Sequence, residues 1–173
     1  VYGAEGYLND TLFSNKKKYA EIIRKAEEQK SRRLPQEAYL KHYEDICQPL
    51  PLWAFVDLLT ISDISFLYAI SPRPVKITVA AALGLQIKGD ELLEKFMHSL
   101  TILRNLCAHG GRLYNRLFQQ KPNLRREERT LLRTFDNGIE DNAHLYGFVI
   151  LIRRLLEKNQ FADMKQRIME LSE

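Results

Sequence analysis

At 173 residues the chain has the length of one domain, because halving it would leave each part with a poor core. Apolar residues make up 45% and charged residues 28%, a globular balance that excludes a disordered bulk. No apolar run approaches the roughly 18 residues a spanning helix needs, and the net charge of +4 is too small to name a partner until it is located along the chain.

Periodicity near 3.6 dominates and alternating β-branched patterns are nearly absent, so the expected class is all-α, one domain over 1–173. Asp10 or Thr11 is placed to cap a first helix running to about Lys30, with Leu12, Tyr19, Ile22, Ile23 and Ala26 on its apolar side. Pro35 suits the first turn of a second helix carrying Ala38, Tyr39 and Tyr43. Pro49-Leu50-Pro51 is a break. Two short apolar helices, or one bent helix, follow over 53–59 and 62–70, closed by Ser71-Pro72-Arg73-Pro74. A short helix over 75–83 stops at Gly84. Asp90 is the expected cap of a central helix over 91–109, ended by Gly110-Gly111. Helices over 124–135, 142–157 and 161–171 complete the set.

The two cysteines, Cys47 and Cys107, lie 60 positions apart without CxxC pairing, which predicts two reduced, buried thiols in a cytoplasmic protein. No basic-then-apolar signal segment is present, and the first residue is Val1, which predicts a trimmed or processed start.

The charge is unevenly placed. Residues 1–111 carry 14 basic and 13 acidic side chains, residues 112–133 carry 7 and 2, and residues 134–173 carry 5 and 7. The excess therefore lives in Arg112, Arg116, Lys121, Arg125, Arg126, Arg129 and Arg133. Guanidinium groups suit bidentate phosphate contacts, so a polyanion is the natural partner; the bland alternative is a salt-bridged helix face including Glu127 and Glu128.

The central helix is unusual in another way. From Phe96 to Gly111 its only formal charge is Arg104, so it is expected to be buried nearly all round. At 100° per residue, Leu93, Phe96, Leu100, Leu103 and Cys107 form a core stripe, while His98, Thr101, Asn105 and His109 form a polar, nearly uncharged one. The second stripe suits an interface or a wet cleft. Arg104 and His109 diverge by about 140° on an ideal helix. Gly110-Gly111 lets the backbone turn immediately after the histidine. A buried Arg104 needs a partner: a bound phosphate, a cluster of carbonyls, or a carboxylate such as Asp57 or Asp63.

Arg104-Asn105-Leu106-Cys107-Ala108-His109 reads as R-N-x-x-x-H. With Arg112-Leu113-Tyr114-Asn115-Arg116 downstream, and with Tyr2-Gly3, Gly6-Tyr7-Leu8 and the segment from Pro51 and Trp53 through Asp57 to Tyr68 upstream, it resembles the Abi-like, or abortive-infection, family of the HEPN superfamily. The likeness spans most of residues 1–120, and it departs at Gly110, where the family usually has a second histidine. Family members usually extend further at the N-terminus, so the chain is expected to match the C-terminal, larger part of one.

The resemblance implies a HEPN-like helical bundle with additional short helices and a metal-independent RNA endonuclease of phage defence. By the same resemblance Arg104 and His109 are the catalytic pair and Asn105 orients them. A homodimer would bring two copies of the motif together through a face that includes His98 and Thr101. RNA would be held by Arg112, Tyr114, Arg116, Arg125, Arg126 and Arg129. No metal or other cofactor is expected, and an antitoxin or inhibitory RNA is a possible further partner. The alternative is a non-catalytic HEPN module that binds RNA or a partner protein through the same face.

Overall fold

The computed structural model describes residues 3–85 and 88–170, apart from the Lys158 side chain. Among them are nine α-helices and no strand, an all-α chain as the periodicity predicts. It divides into two compact units, Val1–Met97 and His98–Glu173, with the central helix running through the division.

In the first unit two 3-10 turns, Gly6–Leu8 and Asp10–Leu12, precede α1 (Lys16–Arg33). Asn15 caps α1, its side chain accepting the Lys18 amide at 2.9 Å, and not Asp10 or Thr11. Those two belong to the 3-10 turn, which Asn9 caps, and the extended backbone at buried Phe13 separates that turn from α1. Ile22 and Ala26 are buried, with Tyr19 and Ile23 half-buried beside them, on the expected face.

Then come α2 (Ala38–Asp45), α3 (Leu52–Asp57), α4 (Ile61–Ile70) and α5 (Arg73–Ala82). Pro35 does not open α2. The Gln36 and Glu37 amides bond back to the Arg33 carbonyl, so Pro35 lies in the turn that closes α1. The apolar stretch after Pro51 forms two helices because Thr60 and Asp63 build a reciprocal capping box and start α4 afresh. Gly84, at φ +73, stops the α5 segment where expected.

The core of this unit joins Tyr7, Phe13, Ile22, Ala26, Leu40, Phe55 and Leu67 with their neighbours. Tyr7 stacks on Phe55 at 4.1 Å and donates its hydroxyl to the Leu50 carbonyl at 2.7 Å. Burial pushes that phenol up to about 12, with a smaller push from Glu27 and Glu5. Tyr68 donates to the carbonyls of Lys76 and Asp90, tying α4 to α5 and to the start of α6 (Gly89–Ala108). Asp90 lies inside the first turn of α6 and pairs with Arg73 at 3.1 Å.

In the second unit the end of α6 leads into an irregular segment over 111–125, then α7 (Arg126–Arg129), α8 (Leu145–Leu155) and α9 (Lys158–Glu170). Leu171, the expected end of the last helix, lies outside the described residues, as do Val1 and Tyr2. The expected helix over 124–135 shrinks to four residues. Arg125, Arg129 and Arg133 would stack like charges at successive i, i+4 positions, which disfavours extending it. Instead Leu132 is buried and a bridge between Thr134 and Glu140 folds the chain back through Gly138, at φ +76.

The expectation of buried thiols is overturned. Cys47 and Cys107 are free, and both are exposed. Cys47 falls past α2 in a turn at φ +51, and Cys107 falls in the last turn of α6, beyond the covered part of its apolar stripe.

Candidate active site

The end of α6 is built by its sequence. The Gly111 amide bonds to the Leu106 carbonyl at 2.8 Å and the Gly110 amide to the Cys107 carbonyl at 3.0 Å, the paired bonds of a Schellman cap with His109 at the C-cap. Gly110 has φ +65, the left-handed conformation that lacks a penalty only without a Cβ. A Cβ on Gly111 would collide with the Leu106 side chain and lie 3.0 Å from the Leu106 carbonyl oxygen, so that position also needs glycine. The chain thus leaves the helix directly after His109, as the glycine pair predicts.

Burial along α6 corrects the expectation of a helix covered on all sides. Leu93, Phe96, Ser99 and Thr101 are buried, Leu100 and Leu103 are half-buried, and Arg104, Cys107, Ala108 and His109 are exposed. Arg104 donates to the Asn105 side-chain oxygen at 3.1 Å, so the motif's arginine and asparagine are in contact. On the polar stripe His98 and His109 are exposed and Asn105 is half-buried, whereas Thr101 is already covered within the chain and cannot face a partner copy.

The carboxylates considered for Arg104 are engaged elsewhere. Asp57 accepts from Arg33 at 2.7 Å and from the Tyr39 hydroxyl at 2.8 Å, and these donors lower its pKa. Asp63 is paired to Lys25 at 2.8 Å. Burial would raise the Asp63 carboxyl, but Lys25 and Thr60 outweigh it and the net shift is downward.

Most cations of the first unit's helices have such a partner, among them Lys18 with Glu21, Arg24 with Glu28, Lys30 with Glu44 and Lys76 with Glu94, while Lys17, Arg32, Lys41 and Lys95 have none within ion-pair reach among the described residues. The second unit differs. Arg112, Arg116, Lys121, Arg125 and Arg126 are exposed, and among the described residues none of their side chains has a carboxylate within ion-pair reach. Arg129 reaches Glu140 at 3.6 Å. Arg133 lies over the Phe135 ring at 5.8 Å. Tyr114 is 84% exposed.

The salt-bridged face considered for Glu127 and Glu128 is not formed. Glu128 is instead gripped from the other side by Arg154, through both oxygens, and caps the Arg125 amide at 2.7 Å. Burial would raise the Glu128 carboxyl, and Arg154 together with the Arg125 amide turns the shift downward. This half-buried anchor, invisible to sequence spacing because its partners are 26 residues apart, fixes α7 with Arg126 exposed.

The arrangement is therefore an exposed Arg–Asn–His helix end followed by unneutralised cations, suited to gripping and polarising a phosphodiester. No helix among the described residues is long and apolar enough to cross a membrane. No curated protein and no solved structure matches the chain. A family model, Abi-like protein, matches residues 2–115, a span that contains the whole Arg104 to His109 motif and more than half of the sequence. The chain belongs to the Abi-like protein family.

Proposed function

We propose that this chain is a cytoplasmic, metal-independent RNA endonuclease of the HEPN superfamily, acting in abortive infection as a restrained, toxin-like enzyme. The observation that carries the reading is the solvent-exposed end of α6, where Arg104 is held by Asn105 and His109 occupies a glycine-built cap.

The chemistry follows from the residue types. A ribose 2′-hydroxyl loses its proton to a base and attacks the adjacent phosphorus; the P–O5′ bond breaks, and the leaving 5′-oxygen takes a proton from an acid. A 2′,3′-cyclic phosphate and a 5′-hydroxyl result. Imidazole serves as either base or acid near neutrality, so His109 takes the proton-transfer role. Arg104 remains charged and clamps the phosphoryl oxygens as negative charge builds. Asn105 orients Arg104. A second copy of the chain supplies the second histidine and arginine, pairing through His98, Asn105 and His109 in a two-fold arrangement. An antitoxin or an inhibitory RNA would restrain the site until infection.

The test is incubation of the purified full chain with end-labelled single-stranded RNA in EDTA. Cleavage to cyclic phosphate ends, with DNA uncut, is expected, and His109→Ala and Arg104→Ala each lower the rate at least about 10²-fold. Undiminished cleavage by His109→Ala overturns the reading. The second reading, a HEPN module that binds without cutting, is favoured by Gly110, whose left-handed backbone disfavours the second histidine usual at this position in the family. It predicts retarded, intact RNA in the same experiment. The mass in solution reports the dimer.

A further inference from the structure

The irregular segment over 112–125 is neither a helix nor a strand, yet it is firmly held. The Phe118 amide donates to the Ala143 carbonyl at 2.8 Å, and its buried ring lies 4.5 Å from Phe148 of α8. The Pro122 carbonyl accepts from the Asn142 side chain at 2.9 Å. Pro122 also packs so close to Gly147 that a Cβ there would meet its ring at 2.9 Å. Leu124 is buried. Around these pins Arg116, Leu117, Gln119, Gln120, Lys121, Asn123 and Arg125 are exposed. Apolar anchors at Phe118, Pro122 and Leu124 thus alternate with polar or cationic side chains and fix the course of the strap from Phe118 onward.

Its charge is one-sided. No Asp or Glu occurs between Glu94 and Glu127, whereas Lys95, Arg104, Arg112, Arg116, Lys121, Arg125 and Arg126 do. Within the strap Tyr114 and Leu117, 84% and 70% exposed, present unsatisfied apolar surface among the cations. The turn at Asn115, with φ +51, sets Tyr114 off from the chain that follows. A duplex presents phosphates but no free base face; a single strand presents both.

We infer that the strap over 112–125 is a preorganised rail for single-stranded RNA, carrying successive phosphates on Arg112, Arg116, Lys121 and Arg125 with a base stacked on Tyr114. The rail leads away from the His109 cap and mostly lies past residue 115, where the family match ends. It reads the backbone and not the sequence. Phe118, Pro122 and Asn142 are positioning residues. This inference rests on the RNA reading of the site but not on its being an active nuclease.

The experiment measures equilibrium binding of the full chain to a fluorescent 12-nucleotide oligouridylate and to an RNA duplex of equal length, from 0.05 to 0.3 M salt, in the His109→Ala background so that RNA stays whole. Each single-strand phosphate contact contributes about 0.7 to the slope of log K against log salt. Arg116→Gln with Lys121→Gln should therefore flatten the slope by about 1.4 and weaken binding roughly 25-fold at 0.1 M salt. Tyr114→Ala should weaken the single strand at least about fivefold and leave the duplex unchanged. These three residues are exposed, so far-UV circular dichroism should match the parent. An unchanged slope in the double variant, or equal affinity for duplex and single strand, overturns the rail. If that occurs while the wild type still cuts RNA, the nuclease reading survives without the rail. If the slope flattens but the wild type leaves RNA intact, the rail stands and the nuclease reading fails.

Discussion

Gly110→Ala probes the helix end on which the proposed chemistry depends. Position 110 holds φ +65, and a Cβ built there meets nothing within 4 Å, so the substitution adds backbone strain without a clash. An alanine in left-handed geometry costs about 1–2 kcal/mol, and the stiffer unfolded chain offsets roughly 0.4–1 kcal/mol of that cost. The net loss should be about 1 kcal/mol, which for a chain of this length lowers Tm by about 2–4 °C. Gly84→Ala is the control: it has φ +73, equal open space and a place after α5, remote in sequence from the motif. Both variants should lose the same stability in thermal melts followed by circular dichroism. Only Gly110→Ala should slow RNA cleavage, because relaxing that strain unwinds the Schellman bonds and shifts the His109 backbone. A Gly110 variant that melts with the wild type would refute the cap argument, and equal loss of cleavage in both variants would show that the rate follows global stability alone.

Other consequences are independent of that cap. Glu128→Gln should cost about 1.5–3 kcal/mol, read from the urea midpoint, since it weakens the charge-assisted hydrogen bonds that both Glu128 oxygens accept from Arg154; a loss below about 1 kcal/mol would mean the pair behaves like a surface one. The Asp63 carboxyl has a pKa lowered in the folded state, so its stabilisation is fully present above the ordinary carboxylate value near 3.8 and disappears as pH falls through the lowered one. Asp63→Asn should accordingly flatten the acid limb of a Tm against pH curve below about pH 4, and an unaltered limb would contradict the Lys25 pairing. Cys47 and Cys107 should both react with a thiol reagent in the native protein, whereas a requirement for denaturant would show that one of them is covered.

Much of the helical fold and of the charge pattern is legible before any coordinates. The 3.6 period locates α1, α4, α5 and α6, because an apolar stripe is a local property of consecutive residues. Gly84 and Gly110-Gly111 mark helix ends for an equally local reason, the low cost of a left-handed residue without a Cβ. The crowding of arginines over 112–133 and the unusual polarity of 96–111 also need only counting. The helix over 124–135 misleads because its apolar spacing is helical while its like charges fall at i, i+4, and Leu132 finds its burial in a folded-back chain instead.

Only the tertiary structure decides which groups meet and which face is covered. Asp57 and Asp63 are equally available to any cation in the sequence, and the packing of α1 against its neighbours assigns them to Arg33 and Lys25. Glu128 looks like one member of a charged helix face until Arg154, 26 residues away, takes both its oxygens. The last turn of α6 reads as buried from its composition, but burial depends on what packs beside it, and the chain turns away at Gly110 and leaves Arg104 and His109 in solvent. Helical period, charge and turn residues are properties of neighbours in sequence; exposure and pairing are properties of neighbours in space, and those alone leave Arg104 and His109 open to solvent.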